Sequence, residues 1–442
     1  MEPIIKTENL KVVYNKGKDN EFVALNDISI EVFPEEYSIF FGPSGCGKST
    51  LLYAILGLQA ISEGKLYING QDSSVFTEQE KSKMDSQFFG IVFQNFNLIY
   101  SLDVMDNVIL PQVFINIDPE MRKQKGGALL TRFGIETRAK NLPSSLSGGQ
   151  QQRVAICRSL INDPAVLLAD EPVGNLDSES ARVVMETLSD INRKDKKTVI
   201  LVTHDPSYLS YADRVYYFKD AKLVRIVKNE RKKSPTEAAI GMGEGGGEED
   251  LSQLGELEKM ARTHSFMTVQ QLKAWSLTNY LSEEFTVNQM DRLEKAMEEM
   301  LSGKLSEHDF FEKLNSSFGE GGVGLYRSTA IKFTKKISEI LREVKIFLED
   351  IKHLAKPEDS VRMVSMLRKF LLNEYHGQLN KEQIERMEKA ILDRLIGIVS
   401  IREFTLLLDR PFSKGGVGLN VSTAQRLVEK FEIILAQAYE NR

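Results

Sequence analysis

Gly42-Pro43-Ser44-Gly45-Cys46-Gly47-Lys48-Ser49-Thr50 is the stretch that decides the fold. It fits G-x-x-x-x-G-K-[ST], and its surroundings fit as well. The apolar run Tyr37-Ser38-Ile39-Phe40-Phe41 before it reads as a buried strand. Leu51-Leu52-Tyr53-Ala54-Ile55-Leu56 after it reads as a helix. Strand, glycine-rich loop and helix together make a phosphate-binding loop. The glycines let backbone N–H groups wrap the phosphates, and the helix N-terminus adds partial positive charge. Gly42, Ser44, Gly45, Cys46, Gly47, Lys48, Ser49 and Thr50 are therefore expected to hold a nucleoside triphosphate. Lys48 reaches its β- and γ-phosphates, and the Ser49 hydroxyl binds Mg²⁺.

Downstream, Ala165-Val166-Leu167-Leu168-Ala169 is an apolar strand ending in Asp170-Glu171-Pro172. A carboxylate at that point can hold Mg²⁺ through its waters, so Asp170 is read as a metal residue. Its neighbour Glu171 is read as orienting and polarising the water that attacks the γ-phosphate. Thr198-Val199-Ile200-Leu201-Val202 leads into Thr203-His204-Asp205. The carboxyl end of a parallel strand is where ligands bind in such sheets, so His204 is expected at the γ-phosphate. Gln94 follows the strand-like Gly90-Ile91-Val92-Phe93; it is read as a catalytic-site residue that ligates Mg²⁺ and senses its presence. Tyr14, in Val12-Val13-Tyr14-Asn15, is a candidate to stack on adenine.

Between these motifs lies Leu146-Ser147-Gly148-Gly149-Gln150, about 100 residues after the loop and about 20 before the acidic strand. With that order in place, the first 229 residues resemble ABC-type ATPase domains. The resemblance makes Leu146 to Gln150 the signature sequence, Gln94 the Q-loop, Asn175-Leu176-Asp177 the D-loop and His204 the switch histidine. It implies that two copies pair head to tail. Ser147, Gly148, Gly149 and Gln150 of one copy, with Asp177, would then complete the ATP site on the other, as a homodimer. Ala169 to Asp177 and Ser144 to Arg153 look most like the lipoprotein-releasing, macrolide-efflux and cell-division group. Val173 stands where that group usually has threonine. The resemblance implies an ATP-hydrolysing subunit, with ATP and Mg²⁺ as cofactors. It would drive a separate transmembrane subunit from the cytoplasm, peripheral to the inner face of the cell membrane.

The whole chain bounds these readings. Its 442 residues suggest two to three domains. Hydrophobic content of 42% and charged content of 27% suit a globular protein, and a net charge of −6 gives no sign of a nucleic-acid partner. Cys46 and Cys157 lie far apart, which argues against a disulfide framework. No run approaches 18 apolar residues, and the N-terminus has no signal-peptide pattern. Alternating strand and helix patterns over 1–229, with Asp27-Ile28-Ser29-Ile30-Glu31-Val32-Phe33 as one period-two strand, predict an α/β P-loop NTPase domain with a helical subdomain.

Residues 230–263, rich in glycine and acid, read as a flexible linker. The pattern then turns helical and repeats. Phe285 to Ala330 aligns without a gap to Leu379 to Ala424, with about 19 of 46 positions identical. This predicts an all-α domain of two tandem repeats, 264–354 and 355–442, each of about four helices. Thr286 with Gln289, Ser306 with Asp309, Ser400 with Glu403 and Asn380 with Gln383 mark helix starts. Gly321-Gly322-Val323-Gly324-Leu325 and its copy Gly415-Gly416-Val417-Gly418-Leu419 lack a following Lys-Ser/Thr, so they read as turns, with Ser328 and Ser422 capping the next helix. Met290, Leu293, Met297, Met387 and Ile391 fall at core spacing. His264, His308, His353 and His376 form no metal spacing. Such a domain either dimerises the ATPase or recruits a cytosolic protein. The alternatives are a soluble ABC ATPase of the repair or translation type, or a scaffold whose ATPase gates the helices. One ATPase domain and no sustained heptads argue against the first of these.

Overall fold

The computed structural model describes residues 2–229, scattered positions between 257 and 267, and residues 268–281, 285–352, 357–373, 375, 377–395 and 398–438. It divides into two compact units, Met1–Glu244 and Gly245–Arg442. The stretch read as a linker, and His353 and His376, lie outside the described residues apart from Leu257, Met260 and Ala261. No helix among the described residues is long and apolar enough to cross a membrane.

The first unit holds two sheets. One is antiparallel and is built from β1 (Ile5–Tyr14), β2 (Phe22–Ile28), β3 (Glu31–Val32), β5 (Glu63–Ile68) and β6 (Gln71–Asp72). The other has six strands in the order β11-β10-β4-β9-β8-β7: β4 (Tyr37–Phe41), β7 (Phe89–Val92), β8 (Val166–Asp170), β9 (Thr198–Thr203), β10 (Arg214–Lys219) and β11 (Lys222–Lys228). From β10 through β7 its strands run parallel. β8 and β9 are buried along their full length, as continuous Val, Ile and Leu runs require in a sheet covered on both faces. Each such side chain contributes about 1.5–3 kcal/mol by burial.

The antiparallel sheet has no counterpart in the sequence reading. Asp27 to Phe33 is also not one strand: β2 ends at Ile28 and β3 starts at Glu31, with Asp27 at φ 59°. The Thr7 hydroxyl donates to the Ile28 carbonyl and accepts from the Ile30 amide, and so pins the break.

Helices α1 (Lys48–Ile55) and α2 (Glu78–Gln87) precede a helical subdomain made of α3 (Val104–Phe114), α4 (Pro119–Arg132) and α5 (Gly148–Leu160). Val104, Val108, Leu130, Val154 and Cys157 share its core. Helix α6 (Ser178–Asp195) follows β8 and leads to β9.

The second unit is helical: α7 (Val269–Leu281), α8 (Val287–Leu301), α9 (Glu307–Asn315), α10 (Arg327–Lys352), α11 (Pro357–Leu371), α12 (Lys381–Leu395), α13 (Ile401–Asp409) and α14 (Val421–Ala438). Among the described residues these eight helices pack around one core, which includes Leu293, Met297, Met387 and Ile391. Capping boxes are present at Thr286 and Ser400, and Asn380 and Gln383 bond reciprocally. Ser306 accepts from the Asp309 amide.

The two glycine loops are turns, each held by the same device. Gly321, Gly324, Gly415 and Gly418 have φ between 73° and 86°. Arg292 donates to the Phe318 and Gly322 carbonyls and stacks on the Phe318 ring; Arg386 does the same with Phe412 and Gly416. A Cβ on Gly322 or Gly416 would lie 2.1 Å from a carbonyl of the preceding helix end.

Ser328 and Ser422 do not cap, because α10 and α14 already start at Arg327 and Val421. In the second repeat Asn420 takes that role, accepting from the Thr423 amide. One feature breaks the symmetry. Arg394 and Glu432 form an ion pair at 2.8 Å, each side chain 3% exposed, whereas the first repeat has Met300 and Ser338 at these positions.

Candidate functional site

The loop after β4 is shaped by close backbone approaches. A Cβ on Gly42 would lie 2.2 Å from the Phe218 carbonyl, and one on Gly47 would lie 2.4 Å from the Ala24 carbonyl. Only glycine fits there. Gly45, at φ 81°, opens onto free space. Gly47 brings no side chain to cap α1, so the first turn presents backbone N–H groups at a helix N-terminus. Lys48 is 4% exposed, and its ammonium donates to the Gly42 and Pro43 carbonyls, both at 2.8 Å. That places a cation inside the loop. Cys46 is a buried free thiol beside it, at 3.8 Å from Lys48 Nζ.

Ser49 and Asp170 meet. The Ser49 hydroxyl donates to Asp170 Oδ1 at 2.8 Å, and the Tyr53 hydroxyl donates to Oδ2 at 3.0 Å. Burial pushes the Asp170 carboxyl up, while the bonds from Ser49 and Tyr53 oppose that shift. Burial, with Asp170 alongside, pushes the Tyr53 phenol up to about 12, so it stays a donor at neutral pH. Tyr53 was not singled out from the sequence, although its position four residues after Ser49 on one helix face was a usable signal.

Glu171 follows β8 in a left-handed conformation, φ 44°, with its amide bonded to the Val202 carbonyl at 3.0 Å. This backbone is unfavourable for a non-glycine residue and is found at functional sites. It brings Glu171 Oε1 to 2.9 Å from Nδ1 of His204, whose side chain is 55% exposed. Gln94 lies two residues past β7. A Cβ on Gly174 would come within 3.0 Å of its amide nitrogen, and Asn175 donates to its carbonyl at 3.3 Å. Tyr14 is half-buried at the end of β1, opposite Phe22.

Ser147 caps α5 in a reciprocal box with Gln150. The glycines after it are in contact with the next motif. A Cβ on Gly148 would meet Leu176 at 3.2 Å, and one on Gly149 would meet the Ser180 hydroxyl at 2.6 Å. Asp177 caps α6, accepting from the Ser180 amide and hydroxyl, and these bonds hold its carboxyl below the usual range. Among the described residues, no hydrogen bond of Ser147 to Gln150 reaches Gly42 to Thr50. Gln152 and Arg158, on the same helix, were also not singled out. Gln152 donates to the buried Pro172 carbonyl, and Arg158 donates to the Phe96 and Asn97 carbonyls just past Gln94.

A parallel sheet whose first loop wraps a buried lysine, beside two acids on a neighbouring strand end, defines a P-loop nucleoside triphosphatase. Comparisons with known proteins narrow the class. The family described as ABC transporter matches residues 25–174. An uncharacterized ABC transporter ATP-binding protein of Methanocaldococcus jannaschii is 38% identical over 224 residues, covering 51% of this chain and 99% of that protein. The ABC transporter ATP-binding protein YtrE of Bacillus subtilis is 41% identical over 208 residues, covering 47% and 90%. The macrolide export ATP-binding/permease protein MacB of Haemophilus ducreyi is 38% identical over 228 residues, which is 52% of this chain and 32% of that protein. The chain belongs to the ABC transporter ATP-binding family. Its first unit is an ATP-binding, ATP-hydrolysing cassette, followed by a largely helical region.

Proposed function

We propose that this ATP-binding subunit works as a head-to-tail homodimer that drives a separate transmembrane subunit. The observation that carries the reading is where the signature turn makes its bonds. Ser147, Gly148, Gly149 and Gln150 lie at a helix N-terminus, which is an anion site. They bond to themselves and touch Leu176 and Ser180, with no bond to the chain's own loop among the described residues. A site of that kind suits a γ-phosphate held by a second copy, with Asp177 steadying the helix beside it.

Within one site, Gly42 to Thr50 hold the phosphates and Tyr14 stacks on the adenine. Ser49, Asp170 and Gln94 are hard oxygen donors of the type Mg²⁺ takes, and two of them already meet. Bound Mg²⁺ would neutralise charge on the β- and γ-phosphates. Glu171 orients the attacking water and takes its proton, and His204 holds that carboxylate in place and faces the γ-phosphate.

Exposed Ile99 and Tyr100, just past Gln94, and Val113 and Phe114, at the end of α3, offer apolar surface for a membrane subunit. Phe114 is 76% exposed. The cassette then sits at the inner face of the cell membrane. The division at 230–263 and near residue 355 gives a cassette, a linker and two repeats. The repeats hold the dimer together or recruit a cytosolic protein.

Glu171→Gln tests this reading. It should bind ATP without turning it over and run as a dimer in size-exclusion chromatography with light scattering. A variant that stays monomeric with saturating ATP sinks the dimer reading.

A further inference from the structure

We propose that Tyr53 is a positioning residue for the Asp170 carboxylate, and through it for the divalent cation; this rests on the reading of Asp170 as a metal residue. Helix α1 sends two donors to one carboxylate. Ser49 Oγ reaches Oδ1 at 2.8 Å and Tyr53 OH reaches Oδ2 at 3.0 Å, from positions four apart on the same face. Together they fix the rotation of the carboxyl plane. The two donors are not equivalent once a cation is bound. Ser49 is itself a cation ligand in this reading: its oxygen would give a lone pair to the metal while its O–H still donates to Asp170, so that bond moves with the cation. Tyr53 takes no part in ligation, so its bond to Oδ2 can hold the carboxylate in one orientation with and without the cation. Partners that orient the groups around a metal in this way carry a large share of its affinity.

The phenol is suited to the task. It is rigid, its ring is partly buried, and its hydroxyl has the carboxylate as its partner. Asp170 is 7% exposed, so little solvent is available to replace a lost donor. Tyr53 touches no substrate atom in this account; it acts on the cation through Asp170.

The test separates cation from nucleotide. In the full chain, Tyr53→Phe keeps the ring and removes the donor; Tyr53→Leu reads the same split should the Phe variant give poor yield. Affinity for a fluorescent ATP analogue is measured in EDTA, and Mn²⁺ affinity is measured by electron paramagnetic resonance with a non-hydrolysable ATP analogue present. The expected result is unchanged metal-free nucleotide affinity with Mn²⁺ affinity weakened about tenfold. Mn²⁺ affinity that stays at the parent value in Tyr53→Phe, while Asp170→Asn lowers it, overturns the role of Tyr53 and leaves the reading of Asp170 intact. Equal weakening of both affinities makes Tyr53 a packing residue and also overturns it. If Asp170→Asn leaves Mn²⁺ affinity unchanged, the metal reading of Asp170 has failed and this proposal falls with it.

Discussion

Nδ1 of His204 lies 2.9 Å from Oε1 of Glu171, although the two residues follow different strands and are 33 positions apart. The contact depends on Glu171 leaving β8 with a left-handed backbone, which points its carboxylate at the end of β9 instead of continuing the strand.

On the reading proposed above, that contact lets His204 orient Glu171. His204→Ala is expected to lower ATP turnover about 100-fold, with little change in KM. Steady-state phosphate release decides the matter. A variant turning over at even a third of the parent rate would remove His204 from the chemistry.

Gly149 has no room for a side chain against α6. Gly149→Ala puts a methyl 2.6 Å from the Ser180 hydroxyl and 2.9 Å from its Cβ. Overpacking of this kind costs about 1–3 kcal/mol. Adding Ser180→Gly should recover part of the loss in urea unfolding, because it removes both contacting atoms. If the double variant is as unstable as the sum of the singles, the two sites are not in contact in solution.

Asp177 sets a pH dependence. Its folded carboxyl is held below the ordinary value of 3.8 by the Ser180 amide and hydroxyl. The stability it contributes is therefore fully present above 3.8 and is lost as pH falls through the lower folded value. Thermal unfolding between pH 5 and pH 3 should fall less steeply for Asp177→Asn, whose side chain still caps but does not titrate. Parallel curves for parent and variant would rule out this source of acid sensitivity.

Arg292 and Arg386 should behave alike. Each bonds two carbonyls of its glycine loop and stacks on the loop's phenylalanine, at 4.0 Å and 4.2 Å. Arg292→Ala and Arg386→Ala are each expected to cost about 1.5–3 kcal/mol in chemical unfolding of the second unit. A large effect at one and none at the other would show that the repeats are not held by a shared device.

The cassette was legible where its evidence is local. Gly42 to Thr50 and Ala165 to Glu171 show their strand context within a few residues, and β4, β8 and β9 fall within one residue of the runs read as strands. The antiparallel sheet was not legible. β5 is exposed over Glu63, Gly64 and Lys65 and shows no alternation, and the pairing of β1 is interrupted by register shifts. Helix starts in the repeats were read correctly where a reciprocal cap exists, as at Thr286 and Ser400. They were misread at Ser328 and Ser422, because the cap of α14 sits two residues earlier at Asn420, where the first repeat has Tyr326. Gln152 and Arg158 act on residues 20 and 62 positions away, and sequence does not show contacts at that range; Tyr53 shares a helix face with Ser49, but its partner Asp170 lies 117 positions on.

The Arg394–Glu432 pair has a consequence for how copies of the chain can mix. The repeated glycine loops are close to interchangeable, and on that ground alone α8 could take the place of its counterpart α12, or α10 that of α14, in another molecule. Such an exchange would seat Arg394 against Ser338, or Glu432 against Met300. A buried charge stripped of its partner costs on the order of 3–5 kcal/mol. The pair therefore works as a key between α12 and α14, disfavouring assemblies in which a helix of the first repeat replaces its counterpart in the second.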